Sequence, residues 1–427
     1  MSALMSLRAG GWPAAAGARE AALTLPPAFA ALTTFAIVAD RAGFDALEPE
    51  WNDLFARAGR DTHVFQTFNW NWHWANHYLS AAPKAAKPAL AIVTGRRRGR
   101  LVLLWPLVIA RHGGLSVVRW MGEPVSQYGD VLIEDAPDKA AVLMQSWRFL
   151  ASELGATAIS LRKVRADANV APLLASLGLE QVDGAVAPYL DLASAPDFAA
   201  YERRYSQKAR KNRRRLLRRL EEQGAVVVTR HAGGSEARDA ARAAIALKRA
   251  WTHTTARLAP ALADPRFGAF FADVADGGSR PAGCAVTMLR CQDAVAGIAI
   301  DVTCRGHRAA HIIVHDPALK HLSPGTLLLR EWIRAASAER IATFDLLAPA
   351  YAYKGDWADA SMPVSDYAGG FSWRGSLYAR LYLGWLRPRL KGALEALPRL
   401  TREWERWRQS GKAQAASADP ELPLQGG

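Results

Sequence analysis

The stretch that decides the fold reads HIIVHDP at 311–317, SPGTLLLREWIRAASAE at 323–339, RIATFDLL at 340–347 and APAYAYKGDWAD at 348–359. This pattern predicts a strand, a glycine-containing turn, a helix, a second short strand and an aromatic loop. A turn that opens a helix beside a strand presents backbone N–H groups and the positive end of the helix dipole, which is how α/β folds hold phosphate groups. The segment therefore predicts an anion-binding turn.

Four residues, Ser323, Pro324, Gly325 and Thr326, form this predicted turn. Pro324 suits a first helical turn because the N–H that it lacks has no partner there, and Ser323 is a favourable N-cap. Gly325 would let a ligand approach the backbone closely. The plain alternative is an ordinary helix start, which is what such short strings usually are. The position between two strands of an α/β unit favours a phosphate site.

Asp345 and Lys354 are the candidate catalytic residues. Asp345 leaves an otherwise apolar strand, where a carboxylate must be paired or close to water. Lys354 follows among Tyr351, Tyr353 and Trp357, which are candidate substrate contacts. The two charged groups could position a substrate or stabilise charge on a reacting carbonyl. The alternative is a structural salt bridge that pins the loop.

The whole chain has the composition of a globular protein, with 427 residues, 50% hydrophobic and 22% charged. No apolar run approaches the length of a membrane span. Cys284, Cys291 and Cys304 lack metal-ligand spacing, so we expect buried, unreactive thiols in a cytoplasmic protein. Residues 1–32 are predicted to be a mobile leader and not a signal peptide.

The order strand, helix, helix, hairpin, strand, helix, strand occurs twice along the chain, although the residues of the two copies barely match. This predicts an α/β (α+β) fold of two similar units, each a mixed and mainly antiparallel sheet flanked by helices. We expect the first unit at 33–192 and the second at 193–372. Amphipathic basic helices follow at 373–410, and a disordered tail at 411–427.

The string FDLLAPAYAYKGDWAD, preceded by SPGTLLLREWIRAA, resembles the GNAT-like acetyltransferases of the CelD/BcsL group, associated with cellulose and exopolysaccharide synthesis, and more distantly the FemAB-type aminoacyl transferases. The resemblance covers about residues 35–375. It implies tandem GNAT units with acyl-CoA, expected to be acetyl-CoA as co-substrate, bound in the second unit. The pyrophosphate would lie on Ser323 to Thr326, and a backbone N–H near Ile313 would polarise the thioester.

Two departures from the family pattern stand out. Ala348-Pro349-Ala350 replaces a glycine followed by an acidic residue, which puts the acceptor side in question. The common GNAT signature Q/R-x-x-G-x-G/A is absent, so acyl-CoA as the donor rests on the resemblance alone.

Residues 203–219 hold ten Lys and Arg and no acid, whereas the remainder of the chain has 44 basic against 40 acidic residues. A helix over 201–220 would place Arg210 four residues before Arg214, and each such like-charge pair costs about 0.2–0.5 kcal/mol. We therefore expect an anionic partner: acids of the other domain, the diphosphate of an activated sugar or lipid-linked glycan, tRNA, or an anionic membrane face. The alternative is a solvated basic face. The candidate acceptor-binding residues here are Ser206, Lys208, Arg210 and Arg214. The resemblance implies that the first three face the cleft.

Other patterns carry weaker expectations. The aromatic helix around Phe65, Phe68 and Trp72 could stack on sugars, but its helical spacing favours core packing. His73 and His77 could share a metal, yet nothing else in the sequence supports one, so no metal is expected. The segment 373–409, with Leu390, Leu394, Leu397, Leu400, Trp404 and Trp407 on one predicted helix face, could lie on a membrane or pack on its own domain, and packing is the safer prediction.

Together these observations predict a cytoplasmic acyltransferase that moves an acyl group from acyl-CoA to an amine or hydroxyl of a saccharide-type or lipid-linked glycan acceptor. One alternative is a FemAB-like transferase that uses aminoacyl-tRNA. The other is a non-catalytic component of a polysaccharide assembly, peripheral to the inner membrane.

Overall fold

The computed structural model describes residues 32–79, 88–255, 259–278 and 282–396. The strands of its first half are β1 Thr33–Val38, β2 Ala89–Leu90, β3 Ile92–Arg97, β4 Arg100–Trp105, β5 Leu107–His112, β6 Leu115–Trp120, β7 Leu132–Ile133, β8 Ala158–Arg165 and β9 Glu180–Asp191. Those of its second half are β10 Val226–His231, β11 Ala282–Cys291, β12 Ala294–Cys304, β13 His307–His315, β14 Thr343–Asp345 and β15 Ala360–Gly370.

Helices flank these strands in the same order in both halves. The first seven are α1 Arg41–Ala46, α2 Glu48–Ala58, α3 Phe68–Tyr78, α4 Lys139–Glu153, α5 Ala171–Ser176, α6 Phe198–Glu202 and α7 Gln207–Glu221. The others are α8 Gly234–Thr255, α9 Pro260–Ala263, α10 Pro265–Gly277, α11 Pro324–Ala338, α12 Ala352–Gly355, α13 Trp373–Leu377 and α14 Arg387–Ala396. Short 3₁₀ turns cover His63–Gln66, Leu192–Ser194 and Pro317–Leu322, and a π-helical segment, Tyr378–Leu386, joins α13 to α14.

The two halves repeat one strand order. Strands β10, β11, β12, β13 and β14 are neighbours, with β13 and β14 parallel and the other pairs antiparallel. In the first half, β2 and β3 form one strand bent at Ala91, and β4 and β5 form one strand bent at Pro106. The order is then β1, β2/β3, β4/β5, β6 and β8, with β6 and β8 parallel, which matches the second half. The predicted fold class of two similar α/β units with mixed, mainly antiparallel sheets is confirmed.

The units interlock at the centre of an eleven-stranded sheet, where the order is β13-β14-β9-β15-β8-β6. Strand β9 of the first half lies between β14 and β15, and β15 of the second half lies between β9 and β8. Each half therefore supplies the strand that completes the other half's sheet. The predicted boundary at 192/193 falls just after β9, and the division into domains stays a prediction.

Helix α11 is fixed on the second unit by a buried polar group. The Trp332 indole donates to Asp301 on β12 (2.8 Å), and Arg230 on β10 donates to both oxygens of the same carboxylate. Burial by itself raises the pKa of Asp301, but these positive and hydrogen-bonding neighbours outweigh it and hold the pKa low. A buried carboxylate with this many partners is satisfied, so the start of α11 has a defined position relative to β13.

The aromatic helix α3 packs into the core, as its spacing predicts. Phe65, Phe68, Trp70 and Trp74 are buried, and Trp72 is partly buried against the same cluster. The three cysteines are buried and free, as expected.

The basic helix differs from the sequence prediction. The chain breaks at 203–206, and α7 begins at Gln207 with Ser206 as its N-cap, whose hydroxyl accepts from the Ala209 N–H (3.2 Å). The buried residues of α7 are Arg213, Leu216 and Leu220, and Asn212 is exposed.

At the C-terminal end the structure describes α13, the π-helical segment and α14 up to residue 396. The segment packs on β15 through Ala379 and Leu383, whereas Leu390 is half exposed. The predicted face positions Leu397, Leu400, Trp404 and Trp407, the side chain of Leu394, the leader at 1–31 and the tail lie outside what is described. Within the described ranges, no helix is long and apolar enough to cross a membrane.

Candidate active site

A cleft of about 1350 Å³ opens where β13 and β14 separate. The two strands pair only from His307 to Ala309, and β13 then continues to His315 with β12 as its one neighbouring strand. Because β14 ends at Asp345, one edge of residues 310–315 is left without a neighbouring strand. The cleft is larger than most small-molecule pockets, which measure roughly 300–1,000 Å³.

The exposed edge of β13 presents backbone groups to this cleft. The Asp316 N–H donates to the Ala296 carbonyl on β12 (3.0 Å). Along a strand of an antiparallel pair, the backbone N–H and C=O groups of successive residues point alternately toward the neighbouring strand and away from it. The N–H groups of Ile313 and His315 therefore point away from β12. In agreement, the Ile313 carbonyl accepts from the ammonium of Lys248 on α8 (3.0 Å). The structure thus brings Ile313, predicted from the resemblance, to the edge of the cleft.

The start of α11 lies beside that edge. Ser323, Gly325 and Thr326 line the cleft, whereas Pro324 is buried at the first helical position. The Gly325 N–H has no intrahelical acceptor, because it belongs to the first turn. A methyl group on Gly325 would lie 3.1 Å from Nδ1 of His315, so the helix start and the end of β13 are in direct contact.

Ser323 does not act as the predicted side-chain cap. It adopts a left-handed conformation (φ 52°), in which it ends the preceding 3₁₀ turn, and its hydroxyl makes no capping bond. A capping serine normally has extended backbone angles. The Thr326 N–H donates to the Ser323 carbonyl (3.0 Å), so the turn offers the Gly325 N–H as its backbone donor.

Positive charge surrounds this helix start. Lys248 and Lys320 line the cleft beside His315. Burial lowers the pKa of His315, and the charges of Lys248 and Lys320 lower it further. Cations, a helix N-terminus and an open strand edge are together the groups that fit a diphosphate with an amide-containing arm, which is the chemistry of acyl-CoA.

Lys354 is a buried cleft residue that holds its own loop. Its ammonium donates to the carbonyls of Leu347 (2.7 Å) and Pro349 (2.9 Å). Burial lowers the pKa of Lys354 to about 8, the charge of Asp345 opposes this shift, and Lys248 adds to it. The side chain is 7% exposed and lies at the cleft wall, within reach of a ligand bound there.

Asp345 does not line the cleft. It is 1% exposed and accepts hydrogen bonds from the Tyr128 hydroxyl (2.7 Å), the Arg165 guanidinium (3.2 Å) and the Leu347 N–H (2.7 Å). Burial by itself raises its pKa, but His307, at 3.3 Å, together with Arg165 and Tyr128 outweighs burial and keeps the pKa below its usual range. A direct salt bridge between Asp345 and Lys354, the structural alternative raised by the sequence, is absent from the described contacts. Asp345 instead joins the two units, because Tyr128 and Arg165 come from the first.

The aromatic loop has an exposed and a buried part. Tyr351 and Tyr353 are 46% and 43% exposed and stack on each other at the cleft mouth. Trp357 is buried, and its ring lies 3.6 Å from the guanidinium carbon of Arg213, which also lies 4.1 Å from the ring of Tyr205. This stack ties α7 to the loop that carries Lys354.

The predicted acceptor-side residues of α7 are not brought together in the cleft. Ser206 lines it, but Lys208, Arg210 and Arg214 do not. Lys208 and Arg214 are exposed to solvent. The basic residues of this region that do line the cleft are Arg204 and Arg213.

The first unit reaches the cleft through Gln127 and through its contact with His311. Strand β12 pairs Ile300 with Ile312 and Asp301 with Ala310, so His311 is the extra residue of a β-bulge. Its Nε2 lies 2.7 Å from the Val125 carbonyl, and burial lowers its pKa to about 4. His311 is therefore neutral at pH 7.

Sequence reasoning missed several lining residues. His311 and His315 lie in the quoted strand, where their alternation with Ile313 was an available signal. Lys248 on α8 and Gln127 of the first unit have no local signal, because only the tertiary fold brings them to this edge.

A metal site has no support in the described ranges, where no group of three or more His, Cys, Asp and Glu side chains is arranged around a common point. The candidate pair His73 and His77 instead contacts one carboxylate, Asp273, at 2.8 and 3.2 Å.

The solved structures that resemble the chain share little sequence identity with it. No curated protein matches the chain in sequence. Solved structures that resemble it include a tandem GNAT protein from the clavulanic acid biosynthesis pathway (16% identity, 79% of this chain and 99% of that one, TM-score 0.44). Another is FemX (10% identity, 73% of this chain and 98% of that one, TM-score 0.48). A third is L-PGS from Bacillus licheniformis (11% identity, 81% of this chain and 96% of that one, TM-score 0.46). Because these TM-scores are below 0.5, the likenesses do not bear on the function of this chain.

One protein-family model, described as "Acetyltransferase (GNAT) domain", matches residues 207–355, less than half of the chain. The matched range contains α7, the open edge of β13, the start of α11 and Lys354. Membership of the CelD/BcsL group stays a prediction. Residues 207–355 are thus similar in sequence to the GNAT type of acetyltransferase domain.

Proposed function

We propose that this protein transfers an acyl group, acetyl in the simplest case, from acyl-CoA to an amine or hydroxyl of a saccharide-type acceptor. The observation that carries the proposal is the open edge of β13 beside the cationic start of α11, within the matched domain. The diphosphate would lie at the N–H group of Gly325, near Lys248 and Lys320. The amide-containing arm would follow the edge at Ile313.

The reaction would be a direct attack on the thioester. The acceptor nitrogen or oxygen bonds to the carbonyl carbon, the carbon–sulfur bond breaks, and the proton lost by the acceptor is balanced by protonation of the departing thiolate. A backbone N–H near Ile313 would polarise the carbonyl, and Lys354 would support the charge that develops on its oxygen. Asp345 has no place in this step and serves as a positioning residue that joins the units.

The acceptor side is proposed for the mouth formed by Tyr351, Tyr353 and Arg204. Exposed aromatic rings stack on sugar faces, and a guanidinium binds an anionic group on the same acceptor. An activated or lipid-linked sugar diphosphate, of the kind used in exopolysaccharide or cellulose-related synthesis, has both features.

A thermal-shift panel tests donor and acceptor classes together. Acetyl-CoA and longer acyl-CoAs should raise the melting temperature, since a ligand at 100 times its Kd stabilises by about 2.7 kcal/mol. Nucleotide sugars should add a further shift with CoA present. No shift with any acyl-CoA at millimolar concentration would overturn the donor assignment.

One observation favours a second candidate, an aminoacyl-tRNA-dependent transferase. Helix α7 exposes Lys208, Lys211, Arg214, Arg215, Arg218 and Arg219 to solvent with no acid among them. Binding of tRNA through such a face would weaken steeply with salt. Salt-dependent tRNA binding without acyl-CoA binding would support this candidate over the first.

A further inference from the structure

Large apolar side chains are concentrated on the outer face of the C-terminal helical segment. Of the twelve large exposed apolar residues within the described ranges, seven fall in 373–390. We call these seven residues the C-terminal apolar stripe: Trp373 (76% exposed), Leu377 (51%), Leu381 (55%), Tyr382 (43%), Trp385 (53%), Leu386 (38%) and Leu390 (49%). A contiguous apolar patch of this kind marks an interaction surface.

The orientation of the stripe is fixed by the opposite face of the segment. Ala379 and Leu383 are buried against Ala368 of β15, with Val182 of β9 packed beside them. Gly375 is buried so closely that a side chain there would collide with the Thr157 carbonyl. The segment therefore cannot rotate to bury the stripe in its own domain.

The stripe is bordered by positive charge. Residues 373–394 contain Arg374, Arg380, Arg387, Arg389 and Lys391 and no Asp or Glu, and of these Arg380 is paired with Glu180 of β9 (3.0 Å). Two of these cations lie at tryptophans: the guanidinium carbon of Arg389 is 4.4 Å from the ring centre of Trp385, and that of Arg374 is 6.0 Å from Trp373. Helices that lie in the headgroup region of anionic bilayers have this composition, in which arginines border tryptophan, tyrosine and leucine.

Charge also decides between the candidate occupants. A two-fold contact between copies of this chain would set the same cations against each other, which disfavours a second copy. We propose that residues 373–390 dock on an anionic lipid surface, with the C-terminal apolar stripe in the headgroup region and the arginines at lipid phosphates. This proposal is independent of the acyl transfer proposed above.

Vesicle sedimentation tests the proposal on the full-length protein. Wild type should bind vesicles of phosphatidylcholine mixed with phosphatidylglycerol and bind pure phosphatidylcholine much less. Leu377→Gln with Leu381→Gln should weaken binding about 30-fold, because about half of each leucine is available to the bilayer. Arg374→Gln with Arg389→Gln should weaken it about 30-fold as well, at roughly 1 kcal/mol for each charge.

Matched controls separate the segment from general charge and hydrophobicity. Val227→Gln removes an apolar side chain that is 48% exposed, and Arg100→Gln with Arg242→Gln removes two exposed charges elsewhere. Each control should bind within about threefold of wild type. All substituted residues are exposed, and unchanged melting temperatures would verify that the variants fold.

Each other outcome overturns the proposal. Equal binding by wild type and stripe variants, or equal losses in the controls, would move the contact elsewhere. No vesicle binding, together with a dimer in sedimentation equilibrium that the leucine variants dissociate, would assign the stripe to a second copy. No binding and no dimer would mean that the chain covers its own stripe.

Discussion

Gly325→Glu gives the sharpest test of the donor site, because it should change folding and binding in opposite directions. Gly325 is the second residue of α11 and lines the cleft. Replacing a helical glycine gains about 0.5–1 kcal/mol, and a carboxylate in the first turn adds about 0.3–1 kcal/mol. The new Cβ lies 3.1 Å from His315 Nδ1, so that ring must shift by a few tenths of an ångström, which offsets part of the gain. We expect a melting temperature at or above that of wild type.

Acyl-CoA binding should weaken strongly in the same variant. The introduced carboxylate would face a diphosphate bound at the helix start. A pair of unit charges about 4 Å apart interacts by about 1 kcal/mol in bulk water and by about 4 kcal/mol at an effective dielectric of 20. With two charges on the diphosphate, the loss is at least about 2 kcal/mol, or roughly 30-fold in Kd.

Calorimetric titration with acetyl-CoA measures this loss, and Gly325→Gln is the matched control because it adds the same bulk without the charge. The Gln variant should keep at least about ten times the affinity of the Glu variant. Affinity of Gly325→Glu within threefold of wild type would refute the placement of the diphosphate at α11.

Three further predictions concern residues around the cleft. Lys354→Ala should lower kcat about 100-fold and leave the affinity for acetyl-CoA within about threefold of wild type. The kcat of wild type should fall above pH 8, because the pKa of Lys354 is lowered to about 8 and its ammonium loses the proton there. Thiol-release kinetics with amino-sugar acceptors measure both effects. Asp345→Asn should cost about 1–3 kcal/mol of unfolding free energy in urea, because the buried Tyr128 hydroxyl and Leu347 N–H lose a charged acceptor, whereas Arg165 keeps its pair with Asp167. The pKa of His311 is lowered to about 4 in the folded protein, so its neutral ring should contribute up to about 3 kcal/mol of stability. This contribution is present above pH 6.5 and is lost as the pH falls toward 4. His311→Phe should remove this part of the pH dependence in urea unfolding.

Each of these predictions has a contradicting result. A fully active Lys354→Ala would remove Lys354 from the chemistry. An Asp345→Asn protein as stable as wild type would show that the carboxylate does not join the units. Identical pH dependence for wild type and His311→Phe would mean that His311 is not buried as a neutral ring.

Local sequence patterns predicted much of the second unit. The periodicity of 324–338 and the apolar run before Asp345 specify α11 and β14 without tertiary information, and so does the hairpin of β11 and β12. The exchange of β9 and β15 could not be predicted in this way, because it depends on pairing between segments about 180 residues apart in sequence.

The candidate site was predicted where its chemistry is local and missed where it depends on the other unit. The turn at 323–326, Ile313 and Lys354 come from one continuous stretch, and the structure brings them to one cleft. The burial of Asp345 was not predicted, since a carboxylate ending a strand gives no sign that Tyr128 and Arg165 will cover it. The left-handed Ser323 reflects the 3₁₀ turn before it, which single-residue preferences do not reveal.

Amide hydrogen exchange with and without acetyl-CoA tests the central claim most directly, because it reports where on the chain the donor binds. If acyl-CoA lies on the open edge of β13 and the start of α11, the amides of Ile313, His315 and Gly325 should exchange at least about tenfold more slowly with the ligand. Protection confined to another part of the chain, or no change at these amides at saturating acetyl-CoA, would contradict it.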